Sequence, residues 1–294
     1  MANARQIVSG PSFTTLPYGL WEAAQKPSAT DTHWQNGITY EELCSGGATT
    51  YDECLAVTGT GGEAPGAPAS KAANVDNNFR GATAFTVYTQ FDCSMVGNVA
   101  QDQAEAALAK VEGWQTERAF WTGTAGGAAT VWPHLAEDTE LSDPSGILLQ
   151  SAATPLVTGG GDAAHVLGAV EQSLADCYHG QGMVHMPPSA LPTFVAASLV
   201  VERDGALWTR AGNRVVVGAG YTGSSPAGSA AAAGTSWIYA TGQVFAYRSQ
   251  VFSPRPVEAF DRAENTQKML AERTYLFAFE CCHIAALVTL GVPT

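Results

Sequence analysis

Residues 215–225 read VVVGAGYTGSS, three β-branched residues followed by Gly218, Gly220 and Gly223 in the spacing G-x-G-x-x-G. That spacing marks a dinucleotide-binding turn only when a strand feeds it and a helix opens from it, because the helix N-terminus holds the pyrophosphate. The continuation, SSPAGSAAAAGTSWIYATG over 224–242, puts Pro226 and Gly228 in the would-be first turns, and the Ala run 230–233 has no large apolar side chain to pack on a sheet. About twenty residues on, Gln243 and Val244 stand where an acidic residue would meet the ribose. The sequence therefore predicts a glycine-rich loop between two strands, with no nucleotide bound.

Outward from this loop the pattern is mixed α and β. GMVHMPP (182–188) reads as a buried strand, and further strands are expected at Val215–Val217, Trp237–Ala240 and Val244–Arg248. Upstream, Val166, Leu167, Val170, Leu174 and Tyr178 form one stripe of a helix from Asp162, its N-cap, to a stop at Gly180. A longer helix is predicted over 102–122, with Ala104, Ala107, Leu108, Val111, Gly113, Trp114, Arg118, Ala119 and Trp121 at helical spacing. Its charges Glu105, Glu112, Glu117 and Arg118 read as a half-solvated face. In ATAFTVYTQFDCS (82–94), Phe85, Val87 and Thr89 alternate with Thr86, Tyr88 and Gln90, the period of a strand. GITYEEL (37–43) and YDECLAV (51–57) are strand-like, and the Gly-, Ala- and Pro-rich stretch 58–78 has nothing to bury, so the region reads as a β-arm with a long tip. Residues 1–35 carry Pro11, Pro17, Gly19 and Pro27 around LWEAAQ, an extended arm with at most one helical turn. The closing segment AENTQKMLAERTYLFAFECCHIAALVTLGV (263–292) is expected to begin as a short helix and to end as strands at Tyr275–Phe279 and Ile284–Leu290.

Composition narrows the function classes. The 294 residues are 46% hydrophobic and only 14% charged, so a large core forms and much of the surface is neutral or covered by partners. With 14 Lys plus Arg against 27 Asp plus Glu, a net charge of −13, and no basic cluster, specific nucleic-acid binding is not expected. Neither a signal core nor a run of roughly 20 apolar residues is present, which points away from export and from a membrane helix. Six cysteines without a C-x-x-C pair give no disulfide or zinc framework, so Cys44, Cys54, Cys93, Cys177, Cys281 and Cys282 are expected as reduced thiols, mostly buried. Cys281, Cys282 and His283 are adjacent and do not converge on one metal ion. G-x-S-x-G, H-E-x-x-H and phosphate-loop motifs are missing, and the six histidines are scattered, which argues against a catalytic or metal centre.

The order of these pieces is distinctive: an arm, a β-arm, FTVY followed by CS, a helix closing in ERAFWTG (117–123), a compact α/β region, then AERTYL and CCHIAAL. Over nearly the whole chain it resembles the major capsid protein of tailed phages, an α+β Hong Kong 97-like fold shared with encapsulin shells. The resemblance implies an N-terminal arm (1–32), an extended loop (33–98), a peripheral domain with a spine helix (99–145), an axial domain (146–243) and peripheral strands with a closing segment (244–294). In that reading the glycine stretch is an axial-domain loop, and Glu272-Arg273 corresponds to the family's usual Glu-Arg pair.

By the same resemblance the chain is a structural, non-enzymatic subunit of an icosahedral shell around double-stranded DNA, without cofactor or metal. Its partners are copies of itself in pentamers and hexamers, together with decoration, scaffolding and portal proteins, and its location is the virion, after assembly in the bacterial cytoplasm. Only Lys71 of the four lysines lies in the extended loop, so Lys–Asn cross-linking is not expected, and the short arm points to a separate scaffold or none. Trp34, a large aromatic between polar residues with little local core to fill, is an expected interface anchor, packing on the spine helix being its alternative. Lys71, Arg80, Glu117, Arg118 and Tyr221 are further candidate subunit contacts. An encapsulin-type compartment is the second reading. A cysteine- or nucleotide-dependent enzyme is the third, and it requires Cys282 exposed beside His283 or a helix opening at Gly218–Gly223.

Overall fold

The structure is a computed structural model that describes residues 13–29, 31–42, 78–93, 99–126, 129–253, 260–261 and 266–291. Its first half holds α1 (Leu20–Ala23), a 3-10 turn (His33–Asn36), β1 (Ile38–Glu42), β2 (Asn78–Ala82), β3 (Phe85–Cys93) and α2 (Val99–Thr122). Short strands follow: β4 (Thr124–Ala125), β5 (Ala129–Thr130), β6 (Leu141–Ser142), β7 (Leu148–Gln150) and β8 (Thr154–Pro155). The compact region comprises α3 (Ala163–Tyr178), β9 (Met183–Met186), α4 (Leu191–Ala196), β10 (Val200–Arg203), β11 (Ala206–Thr209), β12 (Arg214–Val217) and β13 (Thr235–Thr241). The chain closes with β14 (Val244–Arg248), β15 (Phe260–Asp261), β16 (Thr266–Phe279) and β17 (Ile284–Thr289).

The compact region is a seven-stranded mixed sheet in the order β10-β11-β12-β9-β13-β17-β8. All four residues of β9 are buried, as expected of a strand covered on both faces. α3 covers one face with Val166, Leu167, Val170 and Leu174 against Val184, Met186, Ile238 and Val288. The Asp162 carboxylate accepts the backbone N–H groups of Ala164 and His165 at 2.9 and 3.0 Å, and His179 ends the helix in the left-handed region at φ 57°.

A second layer is built on β16, which pairs antiparallel with β14, β15 and β3. The expected helix at the start of the closing segment is a strand instead. Its backbone pairs with β3 from Gln267 opposite Cys93 to Tyr275 opposite Phe85, and this long ladder overrides the helix propensity of KMLAER. The alternation in β3 is observed, with Phe85 and Val87 buried and Thr86, Tyr88 and Gln90 exposed. The strand that pairs with β1 is β2, Ile38 opposite Ala82 through Glu42 opposite Asn78, while β3 joins β16. YDECLAV and residues 58–77 of the expected tip lie outside the described residues.

α2 is continuous from Val99 to Thr122, and Gly113 does not interrupt it. It lies across β3 and β16 with Ala104, Leu108, Ala119, Phe120 and Trp121 in the core, and full burial of a side chain such as Leu108 contributes about 1.5–3 kcal/mol. The expected stripe is only partly right: Ala107, Trp114 and Arg118 face outward. Of the charges read as a half-solvated face, Arg118 is exposed and Glu105 and Glu112 are half-buried, but Glu117 departs from it. Glu112 accepts Arg273 Nη1 at 2.8 Å and the Tyr275 hydroxyl at 2.8 Å, pinning the helix to β16, and Glu117 is buried.

Candidate assembly surface and the glycine clamp

The glycine stretch leaves β12 and runs through turns to β13 with no helix after Gly223. Its geometry explains the glycines. A Cβ on Gly220 would stand 2.2 Å from the Trp114 carbonyl oxygen and 2.6 Å from the Arg118 nitrogen, so the loop backbone lies directly on α2. Gly223 has φ +70°, and a Cβ there would meet Ser236 Oγ at 2.6 Å. The Gly220 N–H donates to Glu117 Oε2 at 3.1 Å, and the Leu20 N–H donates to Oε1 of the same carboxylate at 3.1 Å. One buried side chain of α2 thus ties the glycine loop to the N-terminal turn. Burial pushes the Glu117 carboxyl above its ordinary range, against the opposing pull of backbone N–H groups from Gly220, Leu20 and Ala219.

The next residue, Tyr221, extends the clamp inward. Its hydroxyl lies 3.2 Å from His185 Nδ1, and His185 Nε2 lies 3.0 Å from Thr241 Oγ1. Burial drives the His185 pKa down to about 3, with His283 adding to the effect, and it holds the Tyr221 hydroxyl protonated, with Glu117 adding its charge. Trp121 packs on Tyr221 at 4.8 Å between ring centroids and donates its indole N–H to Ser224 Oγ at 3.0 Å.

The six candidate contact residues therefore separate. Glu117 and Tyr221 come together, but inside the chain. Trp34 does have a local core: it is buried, stacks on Tyr247 of β14 at 5.5 Å, and shares a cluster with Ala82, Leu276 and Ala278, away from the spine helix. Arg80 is buried, with Nε 2.8 Å from Glu42 Oε1 and Nη1 donating to Ser151 Oγ at 3.1 Å. Arg118 alone of the described five is exposed, its guanidinium 5.2 Å from the ring centre of Trp114. Lys71 lies outside the described residues.

Exposed aromatics missed in the sequence are Trp114, which lies beside Arg118, and Tyr88 on β3. Trp114 on α2 is 42% and Tyr88 on β3 is 62% exposed, and between the two elements a cleft of about 300 Å³ is lined by Phe85, Tyr88, Gln115, Ala119, Thr124 and Ala125. None of these lining residues is charged. In a chain of net charge −13, an uncharged cleft with an aromatic rim is suited to contact with another copy.

The cysteines correct the expectation of reduced thiols. Cys177 in the last turn of α3 and Cys282 in the β16–β17 turn form a disulfide across 105 residues, and Cys281 is also disulfide-bonded. The pairing was invisible because tertiary packing, not sequence spacing, brings the two segments together. Cys282 is 6% exposed and oxidised, which removes the exposed thiol that the cysteine-enzyme reading requires. His283 is equally enclosed, Nδ1 lying 2.7 Å from the Ser151 carbonyl and Nε2 2.7 Å from that of Leu135. Burial lowers its pKa to about 4. Among the described residues there is no group of three metal-ligating side chains, and no helix long and apolar enough to cross a membrane.

No protein-family model matches the chain, and no curated protein matches it in sequence. Solved structures do. The capsid of an empty GTA particle matches with a TM-score of 0.59 at 12% identity over 99% of this chain and 96% of its own. The capsid of Ralstonia phage GP4 matches with a TM-score of 0.55 at 9% identity over 100% and 97%. The SrpI encapsulin of Synechococcus elongatus matches with a TM-score of 0.51 at 11% identity over 98% and 92%. With likeness running end to end in each comparison, the chain has the Hong Kong 97-like α+β fold expected from the order of its sequence elements.

Proposed function

We propose that the chain is the structural subunit of an icosahedral bacteriophage capsid that encloses double-stranded DNA. The observation that carries this reading is the coverage: 99% of the chain and 96% of the GTA-particle capsid superpose, so little is left over for a grafted catalytic domain. Pinned to β16 by Glu112–Arg273 and to the glycine loop by Glu117, α2 makes the subunit a stiff plate, which suits a wall of repeated closed contacts. The uncharged cleft rimmed by Tyr88 supplies one such contact. Confinement by a wall needs no DNA-binding site, and the net negative charge limits sticking of DNA to its inner face.

In this reading the axial domain is 146–243, which contributes six strands of the seven-stranded sheet while β17 of the closing segment supplies the seventh, and its loops meet around the symmetry axes of pentamers and hexamers. Residues 99–145 and 244–294 form the peripheral domain, 1–32 the arm, and 33–98 the loop laid on a neighbour. Decoration, scaffolding and portal proteins are the further partners, and assembly takes place in the host cytoplasm. The subunit acts without a catalytic step. The encapsulin match favours a second reading, a cargo compartment of the same wall. Particles isolated from producing cells distinguish the two: nuclease-resistant double-stranded DNA inside supports the capsid, one packaged protein species in place of DNA supports the compartment, and absence of particles contradicts both.

A further inference from the structure

The α3 C-terminus and the β16–β17 turn are joined by non-covalent contacts beside their disulfide. Tyr178 donates its hydroxyl to Glu280 Oε2 at 2.8 Å. A Cβ on Gly242 would stand 2.0 Å from the Glu280 carbonyl oxygen and 2.8 Å from Tyr178 Cε2, so the three segments are in close contact. α3 and β17 also share an apolar core, Leu174 and Val170 lying in one cluster with Ile284 and Val288. These contacts flank Cys177 and Cys282 and do not involve their sulfurs. The two residues differ in access, for Cys177 is exposed and Cys282 is 6% exposed.

We propose that Cys177–Cys282 is a redox lock that closes on the already folded subunit, with Cys177 as the entry point. The oxidant is a small-molecule disulfide. The Cys177 thiolate attacks one sulfur of that disulfide, forming a mixed disulfide and expelling one small thiol. The Cys282 thiolate then attacks the Cys177 sulfur, forming the protein bond and expelling the second thiol. Two protein thiols are oxidised and one small disulfide is reduced to two thiols. Access sets the order, because attack on an external disulfide requires an exposed thiolate whereas the second step is internal. The closed bond cross-links a 105-residue span, long enough for a large effect on the unfolded chain. A shell made from such subunits is assembled soft in a reducing compartment and hardens outside it. The lock belongs to the single subunit and stands or falls independently of the shell reading.

The test uses the full-length chain, first reduced and then incubated with glutathione disulfide. Peptide mapping without reduction is expected to yield a 177–282 cross-linked peptide. Cys282→Ala is expected to accumulate a glutathione adduct on Cys177, while Cys177→Ala takes up several-fold less on Cys282. The reduced wild-type chain is expected to keep its far-UV circular dichroism. The oxidised double variant Cys177→Ala/Cys282→Ala, which keeps the Cys281 bond, is expected to melt about 5–10 °C below the oxidised wild type. A missing cross-linked peptide overturns the proposal. So does equal adduct formation at both cysteines, an unfolded reduced chain, or a double variant melting within about 2 °C of the wild type.

Discussion

Substituting Gly220 by alanine adds one methyl group where the loop backbone lies against α2. The new carbon would stand 2.2 Å from the Trp114 carbonyl oxygen and 2.6 Å from the Arg118 nitrogen, both main-chain atoms of a helix pinned elsewhere by Arg273. Neither can rotate away, so the loop must lift. Overpacking of this kind costs about 1–3 kcal/mol. Lifting the loop also breaks the bond from the Gly220 N–H to Glu117, and an unpaired buried group adds about 1–3 kcal/mol. The expected destabilisation is about 2–6 kcal/mol, a fall in melting temperature of about 4–12 °C for a chain of this size, read by circular dichroism on unassembled protein. Glu117→Gln places an NH2 group against one of two donors, Leu20 or Gly220, and is expected to cost about 1–3 kcal/mol by itself. Since both changes remove the same bond, their effects should be clearly less than additive in a double-mutant cycle. A Gly220→Ala protein melting within about 2 °C of the wild type, or strict additivity with Glu117→Gln, would refute the clamp.

Stability should fall in mild acid: His185 and His283 have folded pKa values near 3 and 4, below the unfolded 6.5, so only the unfolded chain takes up their protons as pH drops from about 6.5. Each then removes about 1.4 kcal/mol per pH unit, roughly 5 kcal/mol together by pH 4.5, and urea midpoints that stay flat over this range would contradict their burial as neutral groups. Trp34→Ala should destabilise the unassembled fold by about 3–5 kcal/mol because it empties the site on Tyr247, whereas an unchanged melting point with lost assembly would return Trp34 to the interface. The pair Tyr88→Ser and Trp114→Ser should leave the melting temperature within about 2 °C, since both side chains are exposed, and should slow particle formation in light scattering; unimpaired assembly would show that these side chains are free in the shell.

Local pattern made part of the fold legible. The helix at 102–122 was readable from a partly buried stripe at helical period, the Asp162 cap from a capping residue ahead of an apolar stripe, and the strands at 182–188 and 215–217 from short continuous apolar runs. The start of β16 was not, since KMLAER favours a helix by itself and its partner β3 lies far away in sequence. The Cys177–Cys282 bond and the burial of Trp34 failed to show for the same reason: segments 105 and 213 residues apart decide them. The glycine spacing was legible as a loop, but Glu117 as its anchor was not, because a carboxylate on a helix carries no local mark of burial. The exposure of Trp114 was hidden by a helical pattern that assigned it to the core.

Electron microscopy of the purified full-length chain, reduced and oxidised, at micromolar to millimolar concentration is the most direct measurement of the shell role. Closed particles of uniform diameter, with five-fold vertices in class averages, are the predicted result. Monodisperse monomers or small open oligomers across that range, from a chain that is folded by circular dichroism, would contradict a self-assembling wall.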